Sequence, residues 1–477
     1  MRSRLRPCPR PVVPSKKPRR RSYTLLSLGC PKNLVDSERM AGLLDRDGYH
    51  MVADPDDAET VVINTCGFIG DARAESYRAI EEMLQLKRQG LVRRVVVAGC
   101  LAEREREALL DRYPEIDRLV GVFARDDIAA AVNSLPILEE TRSAVAEAEP
   151  TPPVGQRSLF RPAPSPPLSD SGRRRITLPH LAYLKIAEGC NRLCSFCSIP
   201  QMRGPYASKP IAEVVAEAEE LAADGVRELV LVAQDTTFYG LDIERRPMLA
   251  ELLQRLDQVE GLAWIRVMYL YPMYVTDELI ETIAGGAKIV PYLDMPLQHI
   301  SDEVLRRMRR QVNGRQTEEL LDRLRGRIKS IAMRTTLLTG FPGETEEQFE
   351  ELLEFVRRQR FERLGVFAFS NEPGTAAADL DQHLPEEVKL TRRERLMATQ
   401  QEIAFAWNAS QIGKRLDVMI DGQVPGQRTA YVGRTWADAP EVDGQVYVTG
   451  QNLVPGQIVP CEIVAAKEYD LIAVACE

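Results

Sequence analysis

The chain has 477 residues, a formal net charge of -8 and 44% apolar residues, enough for about three domains with sizeable cores and too acidic overall for a globally basic nucleic-acid binder. No apolar run reaches the length of a bilayer-spanning helix. The basic N-terminus lacks the apolar core of a secretory signal, so a cytoplasmic protein is expected. Nine cysteines in such a chain speak for metal binding or catalysis, not disulfides.

Residues 1–22 are rich in Arg, Lys and Pro and carry no acidic residue. Such a segment cannot bury apolar surface and is expected to be a disordered basic arm. It either touches RNA or is a plain solvated extension, and Cys8 within it is set aside.

Residues 23–135 read as an α/β domain. Strands are expected over Tyr23–Leu28, Thr60–Asn64 and Arg94–Ala98, with helical patterns over Val35–Asp45 and Ala72–Arg88. The alternation argues for a parallel sheet, whose carboxyl edge is where ligands sit. The three strands run into Cys30, Cys66 and Cys100. These are either buried structural thiols or three ligands of an iron–sulfur cluster with one iron left open. Residues 136–172, with the runs TPP, RPAPSPP and SDSG, read as a Pro/Ser-rich linker between two domains.

Residues 173–408 read as six βα units. Strands are expected over Tyr183–Ala187, Glu228–Ala233, Trp264–Tyr269, Tyr292–Met295, Arg334–Leu338 and Arg363–Ser370. Barrel chemistry belongs at the carboxyl ends of strands, where Gln234, Asp235, Gln298, His299, Ser370 and Glu372 fall. Just past the first strand stands EGCNRLCSFC, with Cys190, Cys194 and Cys197 in a CxxxCxxC spacing. Structural zinc wants four closed ligands, whereas three thiolates on a 4Fe–4S cluster leave one iron free. A zinc knuckle is the other reading of the motif. The turn TGFPGET, containing Gly340 and Gly343, opens a helix. Its backbone N–H groups either receive a carboxylate or a ribose, or make a plain strand-to-helix turn. His299 is either a proton carrier or ligand, or a packing residue.

Residues 409–477 show short strands between Gly and Pro turns, the pattern of a small β-barrel. Acidic residues outnumber basic ones there, which suits a basic protein partner better than RNA. Asp438, Glu441 and Asp443 are expected on an exposed loop that docks such a partner. Cys461 and Cys476 are expected on strands as core residues.

The CxxxCxxC motif, with Phe196 just before its last cysteine, resembles the radical S-adenosylmethionine superfamily. The order of the three parts resembles the methylthiotransferase family within it, over essentially the whole chain after Ser22. The stretches AYLKIAEGC, AQDTTFYG, YLDMPLQHISDEVLRRMRR, FAFSNEPGTAA and ADAPEVDG resemble the branch that modifies an aspartate of the twelfth small-subunit ribosomal protein. The basic arm and the long linker depart from the family pattern.

The resemblance implies an N-terminal parallel-sheet domain, a central open (β/α)6 barrel and a TRAM-like C-terminal barrel. It implies two 4Fe–4S clusters. Cys190, Cys194 and Cys197 would hold the one that binds and reductively cleaves S-adenosylmethionine, with Phe196, Gln234, Asp235, Gly340 and Gly343 as further cofactor contacts. Cys30, Cys66 and Cys100 would hold an auxiliary cluster that presents sulfur, a second S-adenosylmethionine giving the methyl group. The attacked position is the aspartate β-carbon. An electron donor such as flavodoxin or ferredoxin and a monomeric state are implied as well. The competing branch does the same chemistry on adenosine in tRNA. A two-cluster electron-transfer protein would need four-cysteine sets, and both sets here have three.

Overall fold

The computed structural model describes residues 21–133 and 157–476. Residues 1–20 of the expected basic arm, with Cys8, and the first part of the Pro/Ser-rich segment lie outside them, whereas Ser22, expected in the arm, is buried and opens the first strand.

The N-terminal sheet is parallel, in the order β2-β1-β3-β4-β5-β6. Its centre is β1 (Ser22–Ser27), β3 (Thr60–Thr65) and β4 (Arg94–Gly99). The runs VVIN and VVVA are β-branched and buried, as a strand covered on both faces must be. The register pairs Ser27 with Asn64 and Thr65 with Gly99, so the three strands end level. The flanking strands β2 (His50–Met51), β5 (Arg118–Val120) and β6 (Ser158–Leu159) are too short to leave a periodic signal.

β6 corrects the linker expectation. From Arg157 onward the Pro/Ser-rich segment is packed in place against both domains and is no free spacer. The Arg157 guanidinium donates to the carbonyls of Pro114 and Ile116 at 2.9 and 3.0 Å. Asp170 is fully buried between Arg125 and Lys209. A few polar anchors with specific partners thus order a stretch whose composition reads as a spacer.

The central sheet is also parallel and takes its strands in chain order. It runs β7 (Leu181–Lys185), β10 (Glu228–Val232), β11 (Trp264–Val267), β12 (Ile289–Asp294), β13 (Ala332–Thr339) and β14 (Arg363–Ala368). β7 and β14 do not pair, so the barrel is open there. A two-stranded ribbon, β8 (Ala187–Glu188) with β9 (Ala207–Ser208), brackets the cysteine loop. The helices at Gly314–Arg327 and Glu346–Gln359 each begin with a reciprocal capping box, Asn313 with Gln316 and Thr345 with Gln348. The first domain sits over the carboxyl ends of this sheet: its helix Pro31–Arg46 packs on β7.

The C-terminal unit is a closed five-stranded barrel of β15 (Arg415–Gln423), β16 (Ala430–Arg434), β17 (Val446–Thr449), β19 (Asp470–Ala475) and β18 (Ile458–Lys467). Cys461 is in its core, as expected, whereas Cys476 lies just past β19 and is partly exposed. The β16–β17 loop corrects a second expectation. Asp438 is 2% exposed, and the Asp443 carboxylate is buried against the Tyr292 hydroxyl at 2.7 Å. The loop plugs the amino-terminal end of the central barrel, and of the three acidic residues only Glu441 is exposed. Among the described residues no helix is long and apolar enough to cross a membrane.

Candidate active site

Level strand ends deliver three thiols of the first domain to one place. Cys30 follows β1 and caps the helix Pro31–Arg46, Cys66 follows β3, and Cys100 opens a short helix after β4. Two glycines make the approach possible. Gly29 has φ +89°, and a Cβ there would lie 2.7 Å from the Cys66 Cβ. Gly99 has φ +90°, and a Cβ there would run into the Asn64 side chain.

A cavity of about 310 Å³ separates these thiols from the barrel, and Cys190, Cys194 and Cys197 line its other side. All six thiols are free. Backbone N–H groups point at them, from Lys32 and Asn33 to Cys30, Phe68 to Cys66, Arg192 to Cys190 and Ile199 to Cys197. Such donors favour the thiolate that a metal requires. Burial pushes the Cys190 thiol up to about 11 and Cys100 up to about 12. At Cys30 burial also opposes ionisation, but the charges of Lys32 and Arg203 outweigh it and lower the thiol. A buried thiol set of this kind becomes anionic when a cation takes the protons' place. No three His, Cys, Asp or Glu side chains among the described residues converge closely enough for a single ion. Three thiols from each domain, facing one cavity, are the kind of soft donor set that a thiophilic group takes.

The remaining expected contacts divide. Phe196, Gln234, Asp235 and Gln298 line the cavity. Asp235 is fully engaged: its Oδ1 accepts from Thr237 N and Phe238 N, and its Oδ2 from Arg192 Nε at 2.8 Å. It orients Arg192 and the loop. Gly340 and Gly343 do not line the cavity, a correction with a clear cause. The carboxylate of Glu344, from the same turn, accepts the N–H groups of Gly340 and Phe341, so no ligand is needed there. His299 is fully buried outside the cavity, its Nδ1 accepting from Ser301 N at 3.0 Å, and packs as a core residue. Ser370 and Glu372 tie the two domains together instead. Glu372 accepts from Ser370 Oγ and pairs with Arg73 and Arg104 of the first domain.

One residue beside the site had no sequence signal. Arg203 donates from Nε to Cys100 Sγ at 3.3 Å and from Nη1 to Asp36 and Glu188 at 2.7 and 3.1 Å. Lys185 bridges the same two carboxylates at 2.6 and 2.9 Å. Asp36 belongs to the first domain and Glu188 stands two residues before Cys190, so one buried ionic cluster joins both triads. The arginine ends the short helix Ile199–Arg203, with no motif spacing to mark it.

Comparison with known proteins follows the same three parts. Family models match for the radical SAM superfamily over residues 184–356, the uncharacterized protein family UPF0004 over 22–121 and the TRAM domain over 412–476. The chain is 46% identical over 449 residues to the ribosomal protein uS12 methylthiotransferase RimO of Anaeromyxobacter sp. (strain Fw109-5), covering 94% of this chain and 92% of that protein. It is 45% identical to the protein of the same name from Pelotomaculum thermopropionicum, covering 94% and 97%. Among solved structures, the radical S-adenosylmethionine methyltransferase TsrM from Kitasatospora setae superposes with a TM-score of 0.53 at 18% identity, over 75% of this chain and 77% of that one. That likeness is one of fold.

Proposed function

The chain belongs to the family of ribosomal protein uS12 methylthiotransferases, and from that membership we propose that it replaces a β-hydrogen of an aspartate in ribosomal protein uS12 with a methylthio group. It is a radical S-adenosylmethionine enzyme. The observation that carries the reading is the convergence of two cysteine triads, one from each domain, on one cavity. Cys190, Cys194 and Cys197 would hold the cluster that binds S-adenosylmethionine. Cys30, Cys66 and Cys100 would hold a second cluster that presents sulfur. When bound, cluster and S-adenosylmethionine supply hydrogen-atom removal from an unactivated carbon, and a sulfur and a methyl group, chemistry that no side chain provides.

The chain's own contribution is placement. The ionic cluster around Arg203 and the Glu372 pairs hold the domains face to face on either side of the cavity. Asp235 holds Arg192 against the Tyr271 ring, 4.1 Å from its centroid. Gln234, anchored on Glu188 at 3.1 Å, presents its other amide atom without a protein partner. The same reading puts the reaction in the cytoplasm, with a flavodoxin- or ferredoxin-type electron donor.

The test is anaerobic reconstitution with iron and sulfide, followed by incubation with uS12, S-adenosylmethionine and a reductant. Intact-mass analysis of uS12 should show one methylthio group in place of one hydrogen, located on an aspartate by fragmentation. Modification of tRNA adenosine with uS12 untouched would overturn the reading.

A further inference from the structure

Lys32 is a buried ammonium with no carboxylate to neutralise it. The residue is 7% exposed, in the first turn of the helix Pro31–Arg46, and it lines the cavity. Its Nζ donates to the Ala233 carbonyl at 3.1 Å and stands 4.1 Å from the centroid of the Tyr269 ring. Among the described residues no Asp or Glu oxygen pairs with it. Three neighbouring buried cations are treated differently: Lys185 and Arg203 share Asp36 and Glu188, and Arg192 has Asp235. Removing an ammonium from water without a counter-charge costs several kcal/mol, so an unpaired one beside a cavity calls for an anion in that cavity. One carbonyl and one ring face also leave an N–H of the three free.

Position narrows the choice of anion. Lys32 lies on the helix that Cys30 caps, and its Nζ reaches across to Ala233 and Tyr269 at the carboxyl ends of two barrel strands, so the amine spans the cavity that both triads line. In the proposed reaction the reacting carbon is bonded directly to a carboxylate. A carboxylate anchored between the triads puts its neighbouring carbon where hydrogen leaves toward one side and sulfur arrives from the other. Holding reacting groups in such a geometry is a large part of catalysis.

We propose that Lys32 Nζ binds the side-chain carboxylate of the aspartate to be modified, and so selects an acidic substrate side chain. The assignment rests on the uS12 reading above. An adenine ring has no carboxylate to offer this amine. Arg310 is the other cavity cation without a carboxylate partner among the described residues. It donates to the Pro296 carbonyl at 2.7 Å and stacks 4.3 Å from the Tyr271 centroid, and it serves as the comparison.

The experiment is a double-mutant cycle on the iron-loaded enzyme, reading binding and not turnover. Anaerobic fluorescence anisotropy measures the affinity for uS12 and for uS12 with the target aspartate changed to asparagine. The parent should prefer the aspartate form roughly 10- to 100-fold, the worth of a charge-assisted hydrogen bond. Lys32→Met, with iron content equal to the parent, should bind both forms alike. Lys32→Arg should keep most of the preference, and Arg310→Gln should keep it too. A Lys32→Met variant that still prefers aspartate overturns the assignment, as does loss of preference in Arg310→Gln alone. If the preference survives in Lys32→Met but added sulfide no longer perturbs its cluster spectrum, the amine serves a sulfur anion and the carboxylate assignment falls. A parent that binds neither form overturns the substrate reading itself.

Discussion

Arg363 donates from Nη2 to Asp438 Oδ1 at 2.6 Å across the joint between the central barrel and the C-terminal barrel, with both side chains buried. Arg434 reaches Glu228 in the same joint at 2.6 Å, and Arg266 donates to the Trp436 carbonyl. The acidic β16–β17 loop is therefore a structural plug, on the opposite end of the barrel from the thiols. Breaking a buried pair by removing one partner costs about 3–5 kcal/mol, because the other charge stays buried alone. Asp438→Ala should lower stability on that scale in denaturant unfolding of the iron-free chain, whereas Glu441→Lys, on the exposed tip, should change it by less than about 0.5 kcal/mol. Equal losses in the two variants would mean the plug is not load-sharing.

The two triads should be separable. Replacing Cys190, Cys194 and Cys197 with Ala should halve the iron bound on anaerobic reconstitution and abolish release of 5′-deoxyadenosine. Replacing Cys30, Cys66 and Cys100 should also halve the iron, yet leave 5′-deoxyadenosine release and stop methylthio transfer. The measurements are iron content, chromatography of the nucleoside and the mass of uS12. An unchanged iron content in either triple variant contradicts one cluster per triad.

Acid should loosen the joint between the barrels before it unfolds either one. Burial alone would raise the Glu228 carboxyl, but Arg434 and Arg266 hold it below the ordinary range. Asp421, also resisting burial, is lowered by His180 and Arg434. A depressed carboxyl contributes stability that is present above its unfolded pKa, about 4, and is lost as pH falls through its folded value. Both groups sit in the same joint, so hydrogen-exchange protection at Arg434 and its neighbours, relative to the intrinsic rate at each pH, should fall below about pH 4. Glu228→Gln should flatten that dependence, and an unflattened curve would place the acid-sensitive group elsewhere.

The repeating parts of the molecule were legible and the singular ones were not. Strands β1, β3 and β4 announce themselves by apolar runs, β-branched in β3 and β4, that end in Gly-Cys or Thr-Cys, and the CxxxCxxC loop by its spacing. The acidic loop misled because charge on a Pro-containing turn ordinarily means solvent exposure. Its partners Arg363, Arg266 and Tyr292 lie over 100 residues away in some cases and carry no local mark. TGFPGET misled for a related reason: the anion its N–H groups receive is Glu344, four residues from Gly340. Pairings set by tertiary contact leave no periodicity to read.

Arg203 gives the sharpest of these tertiary pairings, and the last prediction. Its guanidinium touches the Cys100 sulfur and is the only described side chain donating to it. Hydrogen bonds to ligand sulfurs help set the reduction potential of an iron–sulfur cluster, since they stabilise the extra negative charge of the reduced form. Arg203→Lys keeps the charge opposite Asp36 and Glu188 but loses the fixed fork that reaches sulfur and carboxylates together. In a chain whose Cys190, Cys194 and Cys197 are Ala, a single cluster remains and its potential is measured without overlap. Arg203→Lys in that chain should shift the midpoint downward, by roughly 30–60 mV if the bond is worth about 1 kcal/mol. In the complementary chain with Cys30, Cys66 and Cys100 changed to Ala, the same substitution should leave the other cluster's midpoint unmoved. A purely structural arginine would shift neither, or would lower the iron content of both.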